Sequence, residues 1–464
     1  MNKILKKFLC LVLALTVCSA LISCGKPTES DNGIINITPD KNASGELSVA
    51  CGTSINEQNI IKGVAKLFNI TYPNIKVTLK PFSGEVAQTI TQYFNAEKYK
   101  PGTMPDVFSL TSFDMLTLSD KRVIQNLDPY IDGEETAGTF NSNDYYKEFW
   151  ILGQQNFNGK QLMIPRSADS VVCHYNKKIF KDAGINMTKI VNGWSWDDFR
   201  DVCSELRTYY DNHGMSNYYL IDSYLTWEAV YNAIFEACGT TFFNESGNFE
   251  IKKDAAKKAL DLMKEMEDKR WIAPLSTASA NFAGGQGCMM FHAQAASIMS
   301  KSILQTYPDV TDVSTVYDVV SFPLIKVNNS PKIGCGISGY SIYSGSKMKD
   351  YAWQFLKALL TKEGQNIIAD EGGANVPPIR KDMADPKNPE NHWGVGYEKI
   401  NLEAYVWGSE YKCPTTFIAV KKPEYAKSLL DCVSQLVLNY VDVGDSFDDA
   451  VSACENKANA YLSF

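Results

Sequence analysis

The hydrophobic residues that follow the first 45 positions alternate between two periods. Glu46–Cys51 and Ile75–Pro81 have the pattern of strands, and Asn59–Phe68 between them carries apolar residues at helical spacing. Val86–Phe94 again has a helical pattern, and Pro105–Leu110 has a strand pattern. Strands that alternate with helices predict parallel β-α-β pairing and three-layer α/β lobes.

The stretch Asn158–Asn186 predicts a turn, two short strands and a helix. The first strand, Leu162–Ile164, is stopped by Pro165, which has no N–H to donate to a sheet. The second strand, Val171–Tyr175, is β-branched and aromatic, and the helix Lys177–Ala183 follows it. The polar loop between the two strands lies where ligands of α/β proteins usually bind.

Seven further segments have apolar residues at the spacing of an amphipathic helix. They are Trp196–Tyr210, Tyr224–Cys238, Ala255–Lys269, Ala293–Tyr307, Asp350–Leu360, Pro423–Tyr440 and Phe447–Leu462. Ser195 is a suitable N-cap for the first of them. Asp197 and Asp198 fall in its first turn, where the helix dipole favours acidic side chains.

The first 45 residues lack these patterns. Met1–Ser23 starts with three lysines and continues as the apolar run Phe8–Leu21, which is typical of a secretory signal peptide. The run is shorter than the about 20 apolar residues that a membrane span needs. Gly25–Gly45 is rich in Asn, Asp, Ser, Thr and Gly and cannot bury enough apolar surface to fold, so we expect a disordered tether.

Length and charge narrow the class of protein. About 420 residues follow the tether, which is too many for one ordinary hydrophobic core and predicts two lobes. The formal net charge is −8, and an acidic chain without a basic stripe argues against nucleic acid as a partner. No segment after residue 24 is long and apolar enough to span a membrane.

The 12 cysteines do not form a metal motif. Nine of them follow Cys24, and no two have the C-x-x-C spacing that a zinc site favours. Most lie in apolar neighbourhoods, as Cys173 and Cys203 do, so we expect buried thiols that act as small hydrophobic residues. We expect neither a metal nor a cofactor.

The remaining patterns argue for a binding protein rather than an enzyme. Gly334-Cys-Gly336-Ile-Ser-Gly339 matches G-x-G-x-x-G, but the strand Tyr340–Tyr343 follows where a dinucleotide site needs a helix. We expect these glycines either to allow close backbone packing at a crossover or to border a ligand cleft. No G-x-S-x-G or H-E-x-x-H occurs, although two carboxylates facing each other across a cleft remain open as an enzymatic alternative.

A series of motifs resembles the extracellular solute-binding proteins of carbohydrate ABC importers, the maltose-binding-protein-like family 1. The resemblance is closest at Gly159, Ile164-Pro165, Tyr175-Asn176-Lys177, Phe180 and Ala183-Gly184-Ile185. Further matches, in chain order, are Pro105-Asp106-Val107, Ser195-Trp196-Asp197-Asp198-Phe199, Phe282, Gly285-Gln286-Gly287, Met289, Phe322-Pro323, Gly339-Tyr340-Ser341-Ile342, Ala352, Phe355-Leu356, Gly364-Gln365 and Pro377-Pro378-Ile379-Arg380. The order and spacing of the motifs cover nearly the whole chain.

The resemblance implies an α/β, type II periplasmic-binding-protein-like fold. Two interleaved and hinged lobes would each contain a mixed sheet flanked by helices. Residues 46–157 plus 279–333 would form lobe one, and 158–278 plus 334–464 would form lobe two.

The resemblance extends to the leader, where Leu21-Ile22-Ser23-Cys24-Gly25 is similar to a bacterial lipobox. It implies cleavage before Cys24 and lipidation of that residue, which would hold the protein at the outer face of the cytoplasmic membrane. Plain secretion, with Cys24 unmodified, is the alternative.

Aromatic residues are the positive sign of a sugar site, since the chain has 8 Trp, 24 Tyr and 22 Phe. Sugar rings have apolar C–H faces and rims of hydroxyl groups, so a site needs flat aromatic side chains beside carboxylates, amides and arginine. Tyr224 and Trp227 are three residues apart and would share a helix face. In maltose-binding relatives the matching stretch supplies an acid, a tyrosine and a nearby tryptophan. The resemblance therefore implies ligand contacts for Asp222 and Tyr224, while Trp227 is either a ligand platform or part of the helix core.

Loop position indicates the other candidate ligand-binding residues. They are Asn56, Glu57, Ser112, Phe113, Arg166, Asp169, His292, Gln294, Tyr340, Arg380 and Trp407. Packing or solvated surface is the alternative for each of them. Maltose-binding relatives have a stacking tryptophan near the position of His292, where this chain has Ala295 and Ala296, which argues against a maltose-like ligand.

The resemblance implies a monomeric protein that binds a sugar, in particular an oligosaccharide, between its lobes and delivers it to the transmembrane subunits of an ABC permease. One alternative keeps the fold and changes the ligand to a peptide, a polyamine or another small polar solute. The others are a surface glycosidase or esterase and a structural adhesin.

Overall fold

The computed structural model describes residues 35–463 except 120, 155–158, 245–247, 277, 328, 337, 373–375, 414–421 and 423–424. Several sequence predictions fall outside the described residues. They are the signal peptide, Cys24, residues 25–34 of the tether, Asn158 of the predicted turn and Pro423 at the start of a predicted helix.

Strands and helices alternate through the first part of the chain, as the hydrophobic pattern predicts. The strands are β1 (Gly45–Gly52), β2 (Ile75–Phe82), β3 (Val107–Thr111), β4 (Ile164–Pro165), β5 (Asp169–Ser170), β6 (Val172–Asn176), β7 (Ile221–Asp222), β8 (Met289–His292), β9 (Tyr317–Ser321), β10 (Ile333–Gly336), β11 (Ser338–Ile342) and β12 (Lys412–Cys413). The helices are α1 (Ile55–Thr71), α2 (Val86–Glu97), α3 (Ser112–Ser119), α4 (Asp128–Thr136), α5 (Lys147–Trp150), α6 (Lys177–Asp182), α7 (Trp196–Asn212), α8 (Glu228–Ala237), α9 (Lys253–Asp268), α10 (Ala296–Thr306), α11 (Lys349–Leu360), α12 (Lys362–Glu371), α13 (Ala426–Leu438) and α14 (Phe447–Leu462).

The first sheet has the strand order β2-β1-β3-β11-β4. β1 pairs in parallel with β2 and β3, as β-α-β alternation predicts, whereas β11 is antiparallel to β3 and β4. The interior strand β1 is fully buried at Leu47, Val49 and Ala50. The first lobe is therefore built on a mixed sheet.

The second sheet has the order β7-β8-β6-β9. β6 is antiparallel to β8 and β9, and β7 is parallel to β8. A smaller sheet, β12-β10-β5, contains β10 and β5, which lie in the two chain segments that cross between the larger sheets, and the later strand β12. The protein is thus an α/β molecule with two lobes that each contain a mixed sheet.

Strand pairing corrects the predicted division of the chain. Residues 279–333 are assigned to lobe one by the resemblance, but β8 and β9 lie in that range and pair with β6 of lobe two. Residues 334–464 are assigned to lobe two, but β11 pairs with β3 of lobe one. All five residues of β6 are buried, so this strand needs a neighbour on each side. Its own sequence does not indicate which distant strands supply them.

The end of the predicted tether packs on the first lobe. In α11, the Gln354 side chain donates to the backbone oxygen of Ile37 at 2.8 Å, and the Tyr351 hydroxyl donates to that of Asp40 at 3.0 Å. Pro39 is buried. The folded unit therefore includes the residues from Ile37 onward, some of which the sequence assigned to a disordered tether, because tertiary contacts supply partners that the polar composition of this segment does not reveal.

Two predicted helices have different outcomes. The start of α7 is confirmed by a capping box in which the Ser195 hydroxyl accepts from the Asp198 N–H at 3.0 Å and the Asp198 carboxylate accepts from the Ser195 N–H at 3.4 Å. The predicted start of α8 at Tyr224 is wrong, since α8 begins at Glu228 and Tyr224 has a φ of 50°, in the left-handed region. Tyr224 and Trp227 therefore do not share a helix face.

All nine cysteines that follow Cys24 are buried, as their apolar neighbours predict, and none forms a disulfide with another described residue. Burial raises the pKa of the Cys288 thiol to about 12. Within the described ranges, no three His, Cys, Asp or Glu side chains are placed to hold a metal ion. A search of the same residues finds no helix with the length and apolar character of a membrane span.

Candidate ligand-binding cleft

A cleft of about 540 Å³ is bordered by loops that follow strands of both large sheets. This volume lies within the range of about 300–1,000 Å³ that small-molecule sites occupy. Lobe one contributes Ser54, Asn56, Glu57, Thr111, Ser112 and Phe113, lobe two contributes Trp227, Glu228, His292 and Gln294, and the crossing segments contribute Arg166, Asp169, Gly336 and Ser338. Aliphatic residues, among them Ile60, Ala293, Ala295, Ile298 and Pro377, complete the lining.

Four helices begin at the cleft, α1 and α3 from lobe one and α8 and α10 from lobe two. The N-cap side chains of α1, α8 and α10 make no capping hydrogen bond in the described structure. Backbone N–H groups in the first turn of a helix have no partner within the helix and can donate to a ligand oxygen. Both lobes therefore present backbone donors.

A carboxylate, a guanidinium group and a phenol meet at one side of the cleft. Arg166 forms an ion pair with Oε2 of Glu57, and the Tyr340 hydroxyl donates to Oε1 of Glu57 at 2.5 Å. Burial and the Glu57 carboxylate raise the pKa of Tyr340 well above its usual range, so the phenol stays a donor. Burial acts to lower the pKa of Arg166, but the Glu57, Tyr340 and Asp169 side chains together outweigh it and raise that pKa.

Two further carboxyl groups line the cleft. Asp169 accepts a hydrogen bond from the Ser167 hydroxyl at 3.2 Å, and Glu228 is the first residue of α8. Burial raises the pKa of both groups, although Arg166 partly offsets the rise for Asp169. These oxygens can accept hydrogen bonds from ligand hydroxyl groups.

An aromatic group borders the lobe-two side. The Trp227 ring stacks on the His292 ring, with centroids 5.1 Å apart and planes inclined by 29°, and the Tyr224 ring meets His292 edge-on at 4.8 Å. Nδ1 of His292 accepts from the Gln294 N–H at 2.9 Å. Burial lowers the pKa of His292, so the ring is neutral at pH 7 and carries its proton on Nε2. His292 is thus a fixed, flat donor.

The structure brings nine of the predicted ligand-binding residues together. Asn56, Glu57, Ser112, Phe113, Arg166, Asp169, Trp227, His292 and Gln294 all line the cleft. Tyr340 is fully buried and lies behind Glu57, where it does not belong to the lining. Contact of any of these residues with a ligand stays a prediction.

Asp222 and Tyr224 line a separate groove of about 250 Å³. The Asp222 carboxylate accepts from the Ser279 hydroxyl at 2.7 Å and from the backbone N–H groups of Ala280 and Phe282 at 2.7 and 2.8 Å. These bonds tie it to a loop that is distant in sequence. Asp222 therefore stabilises lobe two here, and its predicted role at the cleft is not supported by its position.

Arg380 and Trp407 lie away from the cleft lining. The Arg380 guanidinium donates to both carboxylate oxygens of Asp382 at 2.9 Å and lies 5.4 Å from the centre of the Tyr145 ring. The Trp407 ring lies 5.7 Å from that of Tyr411. Both side chains have the packing contacts that were the alternative to ligand binding.

The glycine motif serves both purposes that the sequence left open. A Cβ atom on Gly334 would lie 1.6 Å from the backbone oxygen of Ala229 in α8, and one on Gly339 would lie 2.3 Å from that of Ile164 in β4. Gly336 lines the cleft. Gly334 and Gly339 thus allow close backbone packing, while Gly336 borders the candidate site.

Several lining residues are absent from the sequence prediction, among them Ser54, Thr111, Glu228 and Ser338. Ser54 lies two residues before the predicted Asn56, Thr111 directly precedes Ser112, and Glu228 follows Trp227 in the chain. A rule that includes every polar residue within three positions of a predicted strand's carboxyl end would have found the first two. Glu228 could be predicted as a lining residue only if the observed start of α8 were known.

Comparison with known proteins agrees with this architecture. The sequence profile described as bacterial extracellular solute-binding protein matches residues 52–366. A protein of Brucella abortus (strain 2308) that is named as a binding protein is 23% identical over 333 residues, which cover 69% of this chain and 72% of the relative.

Two solved structures show the same fold. The sugar-binding protein MalE from Xanthomonas citri has a TM-score of 0.72 at 16% identity, covering 90% of this chain and 98% of that one. The ABC substrate-binding protein Lmo0181 from Listeria monocytogenes, solved in complex with cycloalternan, has a TM-score of 0.68 at 18% identity, covering 91% of this chain and 100% of that one. The chain has two lobes and a candidate ligand-binding cleft, and the profile matches most of its length. It therefore belongs to the bacterial extracellular solute-binding protein family.

Proposed function

We propose that this protein is the substrate-binding component of an ABC importer and that it binds a sugar, in particular an oligosaccharide, in the cleft. The observation that carries the proposal is the combination of a flat aromatic surface, Trp227 stacked on His292, with hydrogen-bonding groups of both kinds. A sugar presents apolar C–H faces and hydroxyl groups that both donate and accept.

The balance of donors and acceptors supports a hydroxyl-rich, neutral solute. Acceptors are the carboxylates of Glu57, Asp169 and Glu228, and donors are Arg166, Nε2 of His292 and the first-turn N–H groups of four helices. Among the described lining residues the one guanidinium, that of Arg166, is already paired with a carboxylate, which gives little reason to bind an anion. The solved relatives include a sugar-binding protein and a complex with cycloalternan, which supports the same ligand class.

Delivery would depend on the two lobes. A solute that contacts residues of both lobes favours the closed arrangement by its differential affinity for that state. The closed, monomeric protein would then present both lobes to the transmembrane subunits of the permease. Binding, without covalent chemistry, is the whole of its action.

A lipid on Cys24 would hold the protein at the outer face of the cytoplasmic membrane. Each buried CH₂ of an acyl chain contributes about 0.8 kcal/mol, and more than one chain makes anchoring stable. Cys24→Ala is expected to abolish incorporation of labelled palmitate. Unchanged labelling would contradict lipidation at this residue.

The ligand proposal is tested by thermal unfolding of the chain without its signal peptide against maltotriose, cellotriose, xylotriose, chitotriose and raffinose. A saccharide at one hundred times its dissociation constant stabilises the protein by about 2.7 kcal/mol, and we expect at least one upward shift of a few degrees without turnover. Shifts only with peptides or polyamines would overturn the sugar assignment. Hydrolysis of a chromogenic glycoside or ester by the purified protein would favour an enzyme.

A further inference from the structure

We propose that Tyr340 and Arg166 are positioning residues that hold the Glu57 carboxylate as a fixed acceptor, so that the bound sugar must offer a free hydroxyl group at that point. The inference rests on the proposed function, because it names a feature of the solute that the same cleft selects. It also gives Tyr340 a role other than direct contact with the solute.

The three residues come from separate parts of the chain and converge on one carboxylate. Glu57 lies in the first turn of α1, Arg166 follows β4, and Tyr340 lies in β11. Each carboxylate oxygen has its own donor, since Arg166 bonds to Oε2 and the Tyr340 hydroxyl lies 2.5 Å from Oε1. Two donors on two oxygens fix both the position and the rotation of the carboxylate plane.

The donors themselves are held by the sheet. The Arg166 N–H donates to the backbone oxygen of Ser338 at 2.9 Å. The Gln365 side chain donates to the backbone oxygen of Arg166 at 3.4 Å and accepts from the Ile379 N–H at 3.0 Å. Tyr340 is fully buried in β11. The arrangement is therefore set before any solute enters the cleft.

Spare hydrogen-bonding capacity remains on the side of the cleft. Each oxygen of an ionised carboxylate can accept about two hydrogen bonds, and one per oxygen is used by Arg166 and Tyr340. Glu57 lines the cleft, so a ligand hydroxyl group can donate to its carboxylate. An ether oxygen or a deoxy carbon has no proton to donate.

Lobe one offers a matched control for the Tyr340–Glu57 bond. Tyr130 is also fully buried, and its hydroxyl donates to Oδ1 of Asp350 at 2.5 Å. Neither Tyr130 nor Asp350 lines the cleft. Tyr340→Phe and Tyr130→Phe each remove one buried phenol–carboxylate hydrogen bond, and they differ in whether the carboxylate faces the cleft.

The test is calorimetric titration with the trisaccharide that binds most tightly in the panel above. Tyr340→Phe is expected to weaken binding about tenfold, because a hydrogen bond to a charged group is lost, whereas Tyr130→Phe should bind as the unchanged protein does. Both variants should lower the melting temperature without sugar by similar amounts. Adding Tyr340→Phe to Glu57→Gln should cost no further affinity, since Tyr340 acts through Glu57.

Monodeoxy analogues of the same trisaccharide supply the second measurement. The unchanged protein should bind at least one of them about tenfold more weakly than the parent trisaccharide. This difference in affinity should shrink in Tyr340→Phe and vanish in Glu57→Gln. Normal affinity in Tyr340→Phe, or additive losses in the double variant, would overturn the positioning role alone. Failure of the unchanged protein to bind any sugar would overturn the proposed function instead, and the same variants would then be titrated with the solute that does bind.

Discussion

Gly334 is the position where one added methyl group should disturb the cleft most. In Gly334→Ala, the new Cβ would lie 1.6 Å from the backbone oxygen of Ala229, 2.6 Å from its carbonyl carbon and 3.2 Å from Cγ2 of Val171. Two of these three atoms are backbone, so no side-chain rotation can relieve the overlap. α8 and β10 must separate, and α8 carries Trp227 and Glu228 at its start.

The expected cost is at or above the upper end of the range for overpacked cores, about 3 kcal/mol. The entropy of unfolding is about 2.1 cal/mol/K per residue. For a folded unit that runs from Ile37 to Phe464, this amounts to about 0.9 kcal/mol per kelvin. A cost of about 3 kcal/mol therefore corresponds to a fall of about 3 °C in the melting temperature if the unit unfolds in one step.

Gly336→Ala is the control, two residues along the same strand. Among the described residues no atom lies within 4 Å of its added Cβ, and its φ is outside the left-handed region. Alanine at such a site stabilises a protein by about 0.4–1 kcal/mol, because it restricts the unfolded chain. Thermal and urea unfolding followed by circular dichroism should therefore shift in opposite directions for the two variants. Equal midpoints would refute the close approach of α8 to β10.

Three further predictions use the same protein. Trp227→Ala should weaken sugar binding about tenfold in calorimetry with little change in the ligand-free melting temperature, and an equal loss in Tyr224→Ala, which lies outside the cleft lining, would contradict the assignment. Burial lowers the pKa of His174 to about 3, so between about pH 6.5 and pH 3 the unfolded chain binds a proton that the folded chain does not. The free energy of unfolding should therefore fall by up to about 1.4 kcal/mol per pH unit on acidification. In urea titrations from pH 6.5 to 4.5, His174→Gln should flatten this slope, and an unchanged slope would contradict it. Burial lowers the pKa of Lys412 to about 8, so Lys412→Met should raise the urea midpoint at pH 7. The gain should shrink as pH rises from 8 to about 10.4, where the lysine loses its charge in the unfolded chain as well. A lower midpoint at pH 7 would show that the buried lysine stabilises the fold.

The cleft could be predicted where its residues follow strands of the first lobe. Asn56 and Glu57 come after β1, and Ser112 and Phe113 come after β3. The carboxyl ends of neighbouring parallel strands meet at one edge of a sheet, so local sequence was enough to bring these residues together. Arg380 and Trp407 lie in stretches without a strand pattern, where position in the chain carries no such geometric information.

Some helix starts can be predicted from neighbouring residues, and others cannot. The start of α7 is encoded by Ser195 and Asp198, three residues apart, whose mutual hydrogen bonds need no other part of the chain. Before α8, the Asp222 carboxylate bonds to the distant loop at 279–282, and Tyr224 has a left-handed φ. The helical periodicity of the sequence extends back through Tyr224 and does not reveal these features.

The glycine motif lies at the predicted lobe boundary. It also shows why the sequence placed the segments before and after that boundary in the wrong lobes. Gly334 packs against Ala229 of α8 in lobe two, Gly339 packs against Ile164 of β4 in lobe one, and Gly336 faces the cleft. The chain therefore crosses from one lobe to the other within these six positions, next to the predicted boundary at residue 334. A glycine in the sequence indicates only that another backbone segment comes close. It does not indicate which lobe that segment belongs to. The direction of crossing follows from the pairing of β11 with β3 and of β9 with β6, and such pairing is decided by packing between residues far apart in the chain.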